Sequence, residues 1–62
     1  MDYEFLPYNN TVCVYSNKED RDIGYIMNYR DHDPLFKIEV TLSQHRLEQL
    51  ISEFNIWRNH HG

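Results

Sequence analysis

The chain has little basic charge, a single cysteine, two glycines, two prolines and no long apolar run. Each shortage removes a class of protein. Six Lys and Arg against ten Asp and Glu leave a formal charge of -4, which repels a phosphate backbone unless the cations gather on one face. Lys18, Arg21, Arg30, Lys37, Arg46 and Arg58 are instead scattered, most of them beside a carboxylate, so nucleic-acid binding is disfavoured. Cys13 alone cannot form an intramolecular disulfide, and a lone thiol fits a reducing, cytoplasmic setting better than a secreted scaffold. With only Gly24 and Gly62, no glycine-rich phosphate loop can be built. No apolar stretch nears the ~20 residues that span a bilayer, and Met1-Asp2-Tyr3-Glu4 lacks the basic start of a signal peptide, so no membrane segment is expected.

What is present is short but ring-rich. At 62 residues the chain can build one core and not two, and residues 1–62 are read as one domain. A chain of this size sits near the lower limit for independent folding, where a partner subunit often supplements the core; a homodimer is therefore expected. Aromatic residues make up 15% of the chain, five of them tyrosine, a composition that argues against intrinsic disorder.

Hydropathy alternation predicts a strand at Thr11–Ser16, where Val12 and Val14 oppose Cys13 and Tyr15. A second is predicted at Ile23–Arg30, with apolar residues on both faces. The third is the clearest: Phe36, Ile38, Val40 and Leu42 alternate with Lys37, Glu39 and Thr41. Polar stretches of turn-forming residues, 17–22 and 31–34, separate them as hairpin loops. After Leu42 the period lengthens, and Leu47, Leu50, Ile51, Phe54 and Trp57 form one helical stripe running to about Asn59. Ser43 is the expected N-cap, with Leu42 and Leu47 placed as a hydrophobic staple. Tyr3–Tyr8 also alternates and could add an edge strand, but Pro7 lacks a donor and would end it. The expected fold class is α+β: a three- or four-stranded antiparallel meander with one C-terminal helix packed on one face.

No catalytic, metal or cofactor site is expected. Asp31-His32-Asp33 places three potential ligands together, yet neighbouring side chains in an extended segment diverge, and a turn before Pro34 accounts for them. His45 falls on the polar side of the helix; His60 and His61 stand at its C-terminal end, where cations complement the dipole. Cys13, inside a strand without a histidine or cationic setting, reads as a small buried hydrophobe. Nearly every carboxylate falls in a loop or on a wet face, which leaves no buried partner for acid–base work.

One helix covers only one face of a sheet, so the other face carries the functional question. If the second strand buries Ile23, Tyr25, Met27 and Tyr29, the open face shows Cys13, Tyr15, Ile26 and Asn28 beside Lys37, Glu39 and Thr41. The opposite parity exposes Tyr25, Met27 and Tyr29. Either choice mixes tyrosine, large aliphatic groups and charge, which is interface composition. The expected task is stoichiometric binding of another protein with a basic surface, as inhibitor, adaptor or antagonist, a role common among small acidic phage and mobile-element products. Tyr15 and Ile26 on the sheet, Glu19, Asp20 and Asp22 in the acidic loop, and Ile56 on the far side of the helix are the expected contacts. The alternatives are a single-strand nucleic-acid reader that stacks bases on exposed tyrosines and a small homodimeric structural protein.

Overall fold

The computed structural model describes residues 1–61. Four strands, β1 (Tyr3–Tyr8), β2 (Thr11–Ser16), β3 (Arg21–Met27) and β4 (Leu35–Ile38), form an antiparallel sheet in the order β1-β2-β3-β4, followed by one helix, α1 (Gln44–His61). This is the meander and C-terminal helix that the periodicity predicts, with Tyr3–Tyr8 supplying a fourth strand.

Pro7 does not end β1, and the register explains why. The β1–β2 hairpin turns through Asn9 and Asn10 and closes on the pair Tyr8 and Thr11; Asn9 takes φ 56°, a conformation asparagine tolerates. Hydrogen-bonded and non-bonded pairs then alternate, so the missing N–H of Pro7 falls on the outer edge of the sheet. Tyr3, at the same parity, turns its N–H outward to Glu53 of the helix, at 3.0 Å.

The parity of β3 resolves neither way, because the strand carries a bulge. Val14 pairs with Gly24 and Tyr15 with Asp22, which leaves Ile23 unopposed. Ile23 and Ile26, which a regular strand would place on opposite faces, are both 0% exposed beneath the helix. Ile26 is therefore a core residue and not the surface contact expected of it. Gly24 permits the distortion: it sits at φ +151°, and a Cβ there would lie 2.2 Å from the Lys37 carbonyl oxygen. The β3–β4 ladder ends where the bulge begins, so β4 stops at Ile38 and not at Leu42.

At its other end β3 finishes at Met27, short of the expected Arg30. Asn28 turns the chain at φ 55°, and Tyr29 drops into the core against Trp57, with ring centroids 5.4 Å apart. Arg58 holds this connection, donating to the carbonyl oxygens of Tyr29 at 3.4 Å and Asp31 at 3.2 Å.

Helix α1 starts as expected, with the Ser43 hydroxyl accepting from the Arg46 N–H at 3.2 Å. Leu50 and Phe54 are fully buried, each worth about 2–3 kcal/mol of burial. Phe54 meets Phe5 and, edge to face, Phe36; Trp57 meets Phe5 as well. The inward stripe is rotated from the expected one. Glu53 is buried on it, whereas Leu47 and Ile51 remain 40% and 38% exposed. Glu53 causes the rotation: its carboxylate accepts from the N–H groups of Asp2 and Tyr3, which ties the helix to β1. Accordingly the helix main chain comes within 8 Å, Cα to Cα, of β1 and of no other strand.

Candidate functional site: the open face of the sheet

The register converts the sequence alternation into three rows of side chains on the face away from the helix. Tyr8, Thr11, Met27 and Leu35 form the first row, and Leu6, Cys13, Tyr25 and Lys37 the second. Glu4, Tyr15 and Asp22 form the third. The first two rows are dominated by apolar and aromatic groups, and Tyr8 is 77% exposed. Leu6 and Leu35, at opposite edges of the sheet, are also exposed, while Tyr25 and Met27 between them are half-buried. No segment of the described residues crosses this face; the N-terminal segment joins the sheet as β1 and widens the face.

The third row is acidic. Asp20, at φ 56° in the β2–β3 turn, accepts the hydroxyl proton of Tyr15. That hydrogen bond holds the Tyr15 phenol above its ordinary pKa, with partial burial and the charges of Asp20, Glu4 and Asp22 adding to the effect. The neutral phenol is favoured because its anion would stand among carboxylates. The face is thus apolar toward the β1–β2 hairpin and negative toward the β2–β3 turn, with Lys37 as the cation of its second row.

Of the expected contacts, Tyr15, Asp20 and Asp22 come together. Glu19 does not join them: it lines a small crevice with Lys18, Thr41, Leu42 and Arg46 near the start of the helix. Its N–H is held by the buried Ser16 hydroxyl at 3.2 Å. Ile56 is 50% exposed, as the helical period requires, but it lines a separate groove of about 430 Å³ with Tyr3, Phe5, Trp57 and His60. That groove reaches Leu6 around the β1 edge. Cys13 is exposed on the open face and not buried as expected.

Leu6, Tyr8 and Leu35 belong to the site although they are not among the expected contacts, and Tyr25 and Met27 belong to it as the opposite parity of β3 expects. The alternation of Glu4, Leu6 and Tyr8 with Tyr3, Phe5 and Pro7 carried the signal for the β1 contribution. Among the described residues no three His, Cys, Asp or Glu side chains come together to hold a metal ion. Asp31, His32 and Asp33 are exposed in the β3–β4 connection, as are His45 and His60; the side chain of His61 lies outside the described residues. No described helix is long and apolar enough to cross a membrane. No protein-family model, no curated protein and no solved structure matches the chain.

Proposed function

We propose that this is a stoichiometric protein-binding module, acting as inhibitor, adaptor or antagonist, whose contact surface is the open face of the sheet. The observation that carries the reading is the continuity of the two apolar rows from Leu6 and Tyr8 on β1 to Leu35 on β4. Tyrosine, methionine and leucine side by side resemble the water-excluded centre of an interface. The carboxylates of Glu4, Asp20 and Asp22 border this centre on one side and fit a partner with basic groups at the matching position. The same carboxylates repel the phosphates of a nucleic acid that would stack on Tyr15 or Tyr25.

The test is photo-crosslinking from a benzophenone side chain placed at Tyr8, compared with one at Asn55 on the exposed side of the helix. A specific protein adduct is expected from Tyr8 alone. With that partner purified, Leu6→Asp and Tyr25→Asp are each expected to weaken binding at least about tenfold while the fold is retained. Equal adducts from both positions, or unchanged affinity of both variants, overturn the proposal. So does single-stranded oligonucleotide binding that weakens steeply with salt.

A further inference from the structure

The chain after β4 keeps the pattern of a strand although its ladder has ended. From Leu35 to Leu42 every second residue is exposed, and Phe36, Ile38, Val40 and Leu42 between them are half-buried against the core. Pairing with β3 stops at Ile38 and the chain bends at Val40. Glu39 donates its N–H to the Ile23 carbonyl at 2.8 Å. By the two-residue period, the main-chain groups of Leu35, Lys37 and Glu39 thus face β3. Those of Phe36, Ile38 and Val40 face the free edge of the sheet. The opposite edge is blunted, since β1 carries Pro7 and gives its outward Tyr3 N–H to Glu53.

We infer that two copies of this chain associate through the β4 edge, pairing antiparallel about a two-fold axis at Ile38. Such an axis can pass through an edge-facing residue or through one between two of them, but Lys37 or Glu39 on the axis would stand opposite its own like charge, which leaves Phe36, Ile38 and Val40. An axis at Phe36 would set Pro34, which has no N–H, against Ile38, and one at Val40 would set Glu39 against Thr41. The axis at Ile38 pairs Phe36 with Val40 of the second copy and places Lys37 opposite its Glu39, with the reciprocal pair following by symmetry. Lys37 and Glu39 then occupy non-hydrogen-bonded positions, where cross-strand side chains approach most closely.

The helix points the same way. Glu53 binds one flank of α1 to β1, and Arg58 reaches the β3–β4 connection from the other. Leu47 and Ile51 lie, at 3.6 residues per turn, on the Arg58 flank and are exposed there. A second copy at the β4 edge shields this strip and joins two four-stranded sheets into one of eight. The association does not depend on the partner of the open face, and it doubles that face.

Sedimentation velocity of the full chain from micromolar to millimolar concentration reads the dimer directly. Lys37→Glu and Glu39→Lys, both at exposed positions, are each expected to weaken dimerisation roughly tenfold by setting like charges opposite one another. The double variant, and an equimolar mixture of the two single variants, restore it, because opposite charges face each other again. Protection of the Ile38 and Val40 amides from exchange rises with protein concentration. A chain that stays monomeric at millimolar concentration overturns the inference, as do single variants that dimerise like the parent or a double variant that stays as weak as the singles. Leu6→Asp and Tyr25→Asp leave the dimer intact, so its failure and that of the open face are separable.

Discussion

Gly24→Ala tests the most demanding position in the sheet. The added Cβ would lie 2.2 Å from the Lys37 carbonyl oxygen and 2.8 Å from the Ile38 Cα, both main-chain atoms of β4 that no rotamer change can move. The φ of +151° adds strain of about 1–3 kcal/mol for any residue with a Cβ. Relieving the overlap displaces β4, which weakens its pairing with β3 and loosens Phe36 against Phe54, a packing disturbance of about 1–3 kcal/mol. The combined loss is about 2–6 kcal/mol, set against a total of about 3–9 kcal/mol for 62 residues. Urea melts followed by far-UV circular dichroism should therefore show a loss of at least about 2 kcal/mol, and the thermal midpoint should fall by at least about 8 °C. Cys13→Ala, at an exposed position on the neighbouring strand, serves as the control. A loss below about 1 kcal/mol for Gly24→Ala would mean that the chain reaches this core without the bulge, and the account of Ile23 and Ile26 would fail.

Glu53→Ala leaves the outward N–H groups of Asp2 and Tyr3 without their carboxylate and should cost about 1.5–3 kcal/mol, with the Tyr3 amide losing most of its exchange protection. Unchanged protection at Tyr3 would show that β1 is held by β2 alone. Asp20→Asn keeps a residue that tolerates φ 56° while removing the charge beside Tyr15, and the Tyr15 pKa should fall toward its ordinary value in an NMR titration. Because the folded-state pKa of Tyr15 is raised, its contribution to stability is complete below the unfolded pKa and is lost as pH rises through the folded one. Asp20→Asn should therefore reduce the loss of stability on the alkaline side, and an unaltered alkaline melt would refute the coupling.

The elements that follow a single period were legible in the sequence. Phe36–Ile38 and the helix from Ser43 onward obey one rule each, and both elements form where periodicity puts them, although the helix turns a rotated face inward. The misreadings arise where a local rule meets a tertiary one. Pro7 argued against a strand because a proline lacks a donor, but at the edge of the sheet that donor would have faced outward. Ile23 and Ile26 looked incompatible because alternation allows no three-residue spacing on one face, and Gly24 supplied the missing signal as the only glycine within a strand pattern. Glu53 stands outside the stripe that periodicity predicts, yet Leu50 three positions before it and Trp57 four after it place it beside the buried one.

The bulge also decides what the open face is made of. A regular β3 would have to bury either Ile23 with Tyr25 and Met27, or Gly24 with Ile26, so each choice would sacrifice an isoleucine or consume a tyrosine and a methionine. With the extra residue, both isoleucines go beneath the helix. The core then includes Tyr3, Phe5, Val12, Val14, Leu50 and Phe54 without drawing on Leu6, Tyr8, Tyr25, Met27 or Leu35. Packing beneath the helix therefore does not require apolar side chains at those five positions. Polar residues of similar strand propensity, such as threonine, would satisfy the same backbone and reduce the exposed apolar area. Substituting threonine at Leu6 and Leu35 should leave the unfolding free energy from urea melts within about 0.5 kcal/mol of the parent while removing partner binding. A large stability loss would instead assign these side chains to the fold and leave the face without a reason to be apolar.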